Sequence, residues 1–370
     1  MSAAAPDFPE IGLSLFEREI VQLREWGTER VHPLPAEAVR CLLGTNSDCH
    51  VQLSAPDILP IHARLTRERL EWRIHALGDT PGLWRDDLRC DAFSLQPGVE
   101  IGVGSLTLIA ESRSWIALRS FCTRILGWGA EHMTIVDRAL RSIQMSGTRR
   151  APLVLCGKGD LVPIAHALHR RTLGPDRPFV LCDPRRHNGK ESVRSTANYR
   201  TSAVAAKMAI GGSLCVRKAR LPRNFSTMLA EIREGDAYIQ LIVCSSHQNE
   251  NALLTTPVHV PSLQERTKDL PRIVDEYALD AVAALNVPPA SFTSEDRVWV
   301  LKHAARSLEE IEKATLRLVA IKTSATHAHA AERLGMSTVS LVRWMARHAP
   351  ATGSSASTWP RLPKRMTDQP

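Results

Sequence analysis

Hydrophobic and polar positions follow distinct patterns in successive parts of the chain. Between about residues 29 and 112, short alternating runs such as CHVQL and SLTLIAE are separated by turn residues, which predicts an all-β sandwich. Residues 116–143 carry large apolar side chains at helical spacing, which predicts a helical connector. From residue 151, unalternated runs such as FVLC and IQLIVC alternate with helical segments, as in a parallel sheet covered by helices on both faces. The pattern predicts a multi-domain protein in which an α/β domain follows the β-sandwich.

The last part of the chain is predicted to be all-α. Helical spacing covers residues 270–285 and resumes from residue 294 to residue 348. Near its end, Gly335 marks a turn, and Ser337 or Thr338 can cap the helix that follows. The two preceding helices have apolar or small faces, at Leu308, Ile311, Leu316 and Val319 and at Ala330, Ala331 and Leu334. This arrangement predicts a helix-turn-helix.

The helix after Gly335 supplies the predicted DNA contacts. We expect Met336, Leu341 and Met345 to face inward. We expect the outward side chains to contact the major groove and the phosphates of double-stranded DNA. These side chains are Ser337, Thr338, Ser340, Arg343 and Arg347. A small helical module for protein interaction is the alternative. We expect a homodimer, because helix-turn-helix proteins commonly read paired half-sites.

These patterns divide the chain into six parts. The predicted parts are an N-terminal segment (1–28), the β-sandwich (29–112), the helical connector (113–150), the α/β domain (151–300), the helix-turn-helix (301–349) and a tail (350–370). The tail is rich in Pro, Ser and Thr, a composition that predicts disorder.

Composition narrows the class of protein. With 44% hydrophobic and 23% charged residues, the 370-residue chain is an ordinary globular mixture, and no stretch approaches the roughly 20 apolar residues of a membrane helix. Its eight cysteines form no C-x-x-C pair, and residues 1–9 show no secretory signal, so we expect reduced thiols and a cytoplasmic protein. The formal charge of +8 suits a polyanionic partner.

The β region resembles a forkhead-associated (FHA) domain over LLGTNSDCHVQLSAPDILPIHARLT and the two runs after it. The resemblance implies a protein-docking module whose loops include Thr45, Asn46 and His62. Members of the family grip phosphothreonine with an arginine after the early glycine and with a Ser-Arg pair before the histidine. Here Thr45 follows Gly44, and Leu59 and Pro60 replace the pair. Because phosphate needs charge-assisted donors, we expect docking without phosphate dependence, with His62 supporting a loop. A phosphothreonine-dependent adaptor is the alternative.

The α/β region resembles the AAA+ ATPase domain of bacterial enhancer-binding activators of the sigma-54 factor, above all in VPSLQERTKDLPRIVDEYALDAVAAL. The resemblance places a nucleotide site at Gly157, Lys158, Gly159 and Asp160. A phosphate-binding loop needs a lysine at the start of the helix, and this chain has none there. Asp160 is instead placed to cap the helix, so a carboxylate would occupy the anion site.

The metal-binding part of the predicted nucleotide site is also changed. Where the family has an acidic pair that holds magnesium, this chain has Arg217 and Lys218, two cations that would repel the metal. Residues 184–211 contain nothing like the loop by which these activators contact the sigma factor. We therefore expect no enzymatic activity, no catalytic residues and no ATP cofactor. An ATP-binding, sigma-54-interacting activator with a displaced lysine is the alternative.

The C-terminal region resembles the Fis-type DNA-binding domain that is attached to the same activators, over residues 307–350. His166 and His169, and likewise His327 and His329, lack a third ligand at a sensible spacing, so we predict surface histidines and no metal site. Together these features predict a cytoplasmic transcriptional regulator that binds DNA and docks a protein through its sandwich. We expect it to repress, to compete for sites or to act as an architectural partner of active relatives, rather than to open promoters.

Overall fold

The computed structural model describes residues 18–77, 82–85, 88–149, 151–190, 196–246 and 256–348. The predicted tail (350–370) and the first 17 residues lie outside these ranges. The strands are β1 (Ile20–Glu25), β2 (Val31–Pro33), β3 (Arg40–Gly44), β4 (Val51–Gln52), β5 (Ala63–Glu68), β6 (Glu71–Ala76), β7 (Leu83–Arg85), β8 (Leu88–Cys90), β9 (Ala92–Ser94), β10 (Glu100–Val103), β11 (Leu106–Ser112), β12 (Leu153–Gly157), β13 (Phe179–Cys182), β14 (Ala197–Asn198), β15 (Ser213–Arg217), β16 (Gln240–Ser245) and β17 (Val258–Val260).

The α-helices of the described residues come after β11 in the sequence, and the second to the sixth of them alternate with the later strands. They are α1 (Arg113–Leu126), α2 (Ala130–Arg149), α3 (Val162–Thr172), α4 (Ser202–Met208), α5 (Phe225–Glu234), α6 (Leu270–Ala284), α7 (Ser294–His303), α8 (Leu308–Lys322), α9 (His327–Arg333) and α10 (Thr338–His348). Short 3-10 helices occupy Lys218–Arg220, Leu263–Asp269 and Pro289–Ser291.

A β-sandwich forms the first part of the fold. One sheet has the order β2-β1-β11-β10-β7-β8 and the other β4-β3-β5-β6-β9, and all their strand pairs are antiparallel except β3 with β4. Alternate side chains such as Leu65, Ile74 and Ile101 are buried in the shared core. The predicted all-β architecture is therefore present in the structure.

The sandwich starts earlier in the chain than the predicted boundary at residue 29. Strand β1 lies within the segment that we predicted as separate (1–28), and it pairs along its length with β11. Its Arg24 is fully buried and donates hydrogen bonds to the carboxylates of Glu111 and Asp137, both also buried. The sequence pattern did not predict β1, because it contains a charged residue, Arg24, whose acidic partners lie far away along the chain.

The connector is helical, as its spacing predicts, and it consists of α1 and α2. Ser112, the last residue of β11, begins α1 directly, because its hydroxyl accepts a hydrogen bond from the Trp115 N–H at 3.2 Å. The Arg171 guanidinium of α3 lies 4.1 Å from the centre of the Phe121 ring of α1, a cation–π contact. The helix pair thus packs against both the sandwich and the α/β part.

The α/β part contains the predicted parallel sheet. Its five parallel strands run in the order β13-β15-β16-β12-β17, so the first strand along the chain lies between the fourth and the fifth. Strands β13 and β16 are buried throughout, as expected for strands covered on both faces. In such sheets ligands bind beyond the carboxyl ends of the strands, which makes that edge the first place to look for a site.

By compactness, the chain divides after residue 260, within the span 151–300 that we predicted as the α/β domain. The described residues form two compact units: the first includes the sandwich, α1, α2 and the parallel sheet, and the second includes residues from 261 onward with those of 188–198. Helix α6 belongs to the second unit, since Ala281 and Val282 form a buried cluster with Val319 of α8. Apolar burial against α8, which sequence spacing does not reveal, assigns α6 and α7 to the helical unit.

Candidate functional site

Two loops at one end of the sandwich contain the residues predicted for docking. The loop after β3 holds Thr45 and Asn46, whose backbone N–H groups donate to the carbonyl oxygens of Leu59 and Pro60, each at 3.1 Å. Glycine is required at position 44, because a Cβ there would lie 2.3 Å from the Pro60 oxygen. The loop after β3 and the loop before β5 are therefore held together through their backbones.

His62 lies beneath these loops and not on their surface. Its side chain is fully buried, and its Nδ1 accepts a hydrogen bond from the Leu59 N–H at 3.3 Å. Burial lowers the pKa of His62, with opposing contributions from the backbone of Gly82 and the charge of Asp57. His62 is thus neutral at pH 7 and positions the loop. Of the three predicted docking residues, Thr45 and Asn46 are accessible to a partner and His62 is not.

The surface above His62 is apolar where the family resemblance expects phosphate donors. Leu59 and Ile61 are 39% and 43% exposed, and Pro60 between them is also exposed. Asp57 in the same loop is acidic and accepts a hydrogen bond from the Ser105 hydroxyl at 2.9 Å. The side chains of Leu59, Pro60 and Ile61 offer hydrophobic contact and no cationic donor for a phosphate.

A buried carboxylate marks the carboxyl edge of the parallel sheet. Asp183 follows β13 directly and is fully buried. Its carboxylate accepts hydrogen bonds from Arg217 Nη1 at 2.9 Å, from Arg220 Nη1 at 3.1 Å and from the Arg185 N–H at 3.0 Å. Burial alone would raise the pKa of Asp183, but the hydrogen bonds from Arg185 and Arg220 and the two arginine charges together lower it. Asp183 is therefore ionised and paired.

Arg217 connects Asp183 to the loop after β12. Its Nη2 donates to both carboxylate oxygens of Asp160, at 3.0 and 2.8 Å. Asp160 Oδ1 also accepts from the Val162 N–H at 3.1 Å, so the carboxylate lies at the start of α3. Arg217 reaches this position across β16, which separates β15 from β12 in the sheet. We refer to Asp160, Asp183, Arg217 and Arg220 as the edge network.

The edge network changes the electrostatic picture that the sequence predicts. Arg217 was expected to present an uncompensated positive charge to a metal, whereas it is bonded to two carboxylates. Lys158 is exposed and Lys218 is half-buried, while Gly157 and Gly159 flank Lys158 in the turn after β12. A helix N-terminus attracts anions, and Asp160 already supplies one there. The six predicted residues of the altered nucleotide site thus lie at one edge, with their central charges paired internally.

The second unit brings α9 and α10 together around a tight turn. Gly335 has a φ of +59°, a conformation that favours glycine, and its N–H donates to the Glu332 carbonyl at 2.8 Å. The Met336 N–H donates to the Ala331 carbonyl at 2.8 Å, which completes the end of α9. Ser337 then begins α10, since its hydroxyl accepts from the Ser340 N–H at 3.2 Å.

The inward side of α10 differs from the predicted one. Leu341 is fully buried as expected, but Met336 and Met345 are only half-buried, and Trp344 is the second buried side chain. The Trp344 ring packs edge-on against Trp299 of α7, with centroids 5.8 Å apart, and Arg317 lies 5.0 Å from its centre. The larger aromatic surface of Trp344 accounts for its burial in place of Met345.

The outward side of α10 carries most of the predicted DNA contacts. Ser337, Thr338, Arg343 and Arg347 are exposed, whereas Ser340 is half-buried and its hydroxyl lies 2.8 Å from that of Ser337. Val339 and Val342, which the sequence did not single out, are exposed on the same side. Helical periodicity could have identified them, because both lie opposite Leu341 and Trp344.

Two further predictions concern histidines and membranes. His169 was predicted at the surface but is 1% exposed, with Nδ1 2.8 Å from the Ser213 hydroxyl and Nε2 3.0 Å from the Arg177 carbonyl oxygen. Burial lowers the pKa of His169 to about 4.

Among the described residues, no group of three or more His, Cys, Asp or Glu side chains could hold a metal ion. Nor does any helix in the described part have the length and apolar character needed to cross a membrane.

Comparison with protein families identifies one domain. A model of the FHA domain matches residues 41–104, so the chain contains an FHA domain there. This confirms the resemblance seen in the β region. No curated protein matches the chain.

Solved structures resemble about a quarter of the chain. One is Mycobacterium tuberculosis EmbR in complex with a low affinity phosphopeptide, at 19% identity, covering 25% of this chain and 24% of EmbR, with a TM-score of 0.24. Another is the FHA domain of the CT664 protein from Chlamydia trachomatis, at 14% identity, covering 25% of this chain and 95% of that one, with a TM-score of 0.23. A third is the FHA domain of a hypothetical protein from Arabidopsis thaliana, at 18% identity, covering 27% and 92%, with a TM-score of 0.22.

Proposed function

We propose that the protein is a DNA-binding transcriptional regulator without enzymatic activity, which contacts duplex DNA through α10 and docks a protein partner through its FHA domain. The observation that supports DNA binding most is the exposed side of α10. It carries Arg343 and Arg347, and α10 contains no acidic residue. An exposed helix of this charge, which follows a short helix and a tight turn, suits the major groove of a polyanion.

DNA binding can be tested by gel-shift titration of the full chain with duplex DNA. We expect Arg343→Ala to weaken binding by about tenfold or more, the usual effect of removing an arginine that contacts a base. Arg306→Ala is the matched control, since Arg306 is also exposed but precedes α8 and lies outside α10. Equal binding by wild type and Arg343→Ala would remove α10 from the proposal.

Loss of nucleotide hydrolysis is the second part of the proposal. Asp160 offers a carboxylate at the start of α3, where a phosphate would otherwise bind, and Arg217 is already bonded to it. We expect neither heat of binding nor phosphate release when the full chain is titrated with ATP and magnesium at millimolar concentration. Binding together with phosphate release would favour an ATP-binding activator instead.

Protein docking is the third part, and the FHA domain at residues 41–104 supports it. Because Leu59, Pro60 and Ile61 form the loop surface, we propose that docking does not require phosphothreonine. A degenerate peptide library should bind equally with threonine or phosphothreonine at its fixed position. The triple variant Thr45→Arg, Leu59→Ser, Pro60→Arg restores the donor types and is expected to gain a preference for phosphothreonine. Such a preference in the wild-type chain would identify a phosphothreonine-dependent adaptor.

The mode of regulation follows from the first two parts. We propose that the protein represses transcription, competes for sites with active relatives or acts as their architectural partner, because we expect none of the ATP hydrolysis by which those relatives open promoters. We expect it to do so in the cytoplasm as a homodimer on paired half-sites. Light scattering of the full chain measures the mass of the particle, and genome-wide occupancy of the tagged protein tests whether the bound sites lie at promoters.

A further inference from the structure

Two valines on the outward side of α10 are largely exposed to solvent. Val339 is 65% exposed and Val342 is 46% exposed. Valine loses side-chain freedom in a helix, so it is a weaker helix former than alanine at positions where packing decides nothing. Neither stability of the helix nor burial in the core explains why β-branched side chains stand at these two positions.

The valines share one side of the helix with the arginines. Residues three and four apart lie on the same side of a helix, so Val339, Val342 and Arg343 are neighbours. Ala346 and Arg347 extend the same side by one turn, and both are exposed. Leu341 and Trp344 are buried on the opposite side, which fixes the orientation of this strip. We call Val339, Val342, Arg343, Ala346 and Arg347 the α10 strip.

The charges of the α10 strip favour nucleic acid over another protein. Within the described part of the chain, the Arg343 guanidinium has no hydrogen-bond or ion-pair partner, while the Arg347 Nε donates to the Arg343 carbonyl oxygen at 3.4 Å. Two exposed arginines on a helix without an acidic residue favour an anionic partner. The apolar side chains beside Arg343 can contact an apolar group at the same surface.

The major groove of DNA presents these two kinds of group side by side. The C5-methyl of thymine is its apolar group, and O6 and N7 of guanine accept a pair of hydrogen bonds from arginine. Val339 and Val342 lie about 4.5 Å apart along the helix axis, close to the spacing of about 3.4 Å between base pairs. Arg343 lies one turn after Val339 on the same side of the helix.

We propose that Val339 and Val342 recognise thymine methyl groups next to a guanine bound by Arg343, so that the half-site read by α10 combines thymine and guanine. This inference rests on the proposed DNA binding and adds which bases are read. It makes the valines determinants of sequence specificity, whereas Arg347 contributes at the phosphates.

Replacing thymine by deoxyuridine tests the inference, because it removes only the C5-methyl. Duplexes that bind the full chain are first selected from a random pool, and each thymine is then replaced in turn. We expect about fourfold weaker binding for each methyl that contacts a valine, the value for one buried carbon. In the double variant Val339→Ala, Val342→Ala the same replacements should have no effect. Alanine favours the helix, so loss of folding does not explain the result.

The outcomes separate the inference from the proposed function. Failure to bind any duplex contradicts both. Binding without selection of a sequence, or a selected sequence that tolerates deoxyuridine at every thymine, overturns the inference but leaves DNA binding in place. If the double valine variant binds DNA normally but changes the mass of the particle in light scattering, the valines form an interface between two copies, and methyl recognition is wrong.

Discussion

Replacing Arg217 with methionine tests the edge network that closes the carboxyl edge of the parallel sheet. The change removes one hydrogen bond to the fully buried Asp183 and the pair to the half-exposed Asp160. An exposed pair contributes under about 1 kcal/mol, whereas a buried charge that loses its only partner costs about 3–5 kcal/mol. Asp183 keeps Arg220 and the Arg185 N–H, so we expect a loss of about 2 kcal/mol in local stability.

Hydrogen exchange measured by mass spectrometry gives that local stability for peptides that cover β13 and β15. A loss of about 2 kcal/mol corresponds to amide exchange about 30-fold faster. Arg220→Met is the matched control, because Arg220 bonds to the same carboxylate but is 41% exposed, and we expect about threefold. On an Asp183→Asn background, Arg217→Met should cost less than about 1 kcal/mol, since no buried charge remains. An equal cost on both backgrounds would refute the claim that Arg217 is held by Asp183.

Three other predictions follow from buried groups in the first unit. His169 has a pKa of about 4 when folded and about 6.5 when unfolded, so between these pH values only the unfolded chain takes up a proton. The free energy of unfolding therefore falls by about 3 kcal/mol as the pH drops from 6.5 to 4. The melting temperature of His169→Gln should change less with pH across this window than that of the wild type. Gly44→Ala should destabilise the sandwich by about 2 kcal/mol through its contact with a backbone oxygen, whereas Gly189→Ala, where an added Cβ meets nothing within 4 Å, should leave melting unchanged. Arg24→Met takes its arginine away from the buried Asp137, while Glu111 keeps Arg119, and should cost about 3–5 kcal/mol, against under about 0.5 kcal/mol for the exposed Arg30→Met; similar melting of the two variants would contradict the importance of burial.

Features encoded by neighbouring residues could be predicted from the sequence. The strands of the parallel sheet follow from unalternated apolar runs, and each predicted run contains a strand. The turn at Gly335 and the cap at Ser337 depend on backbone conformation and hydrogen bonds within a few residues, so a short segment of sequence is enough to predict them. The position of Asp160 at the start of α3 is of the same kind. In each case the determining contacts lie within a few residues along the chain.

Features encoded by distant residues could not be predicted. Strand β1 was missed because Arg24 is charged, and its partners Glu111 and Asp137 lie on β11 and α2. Asp183 was not predicted as a site residue. An acidic residue directly after a buried strand nevertheless indicates a possible site, since the carboxyl ends of parallel strands meet at one edge of the sheet. Trp344 replaced Met345 in the core because Trp299, far away in the sequence, provides an aromatic partner.

The edge network and the helix pair together determine what the first unit can do. A phosphate that entered the carboxyl edge would have to displace Asp160 from Arg217, and a tethered carboxylate competes at a high effective concentration. Meanwhile, Arg24 and Asp137 join the sandwich to α2, and Arg171 and Phe121 join α3 to α1. These contacts connect the sandwich, the two connector helices and the α/β part within one compact unit. The proposed docking surface at Leu59 and Ile61 thus belongs to the same compact unit as the parallel sheet and its edge network.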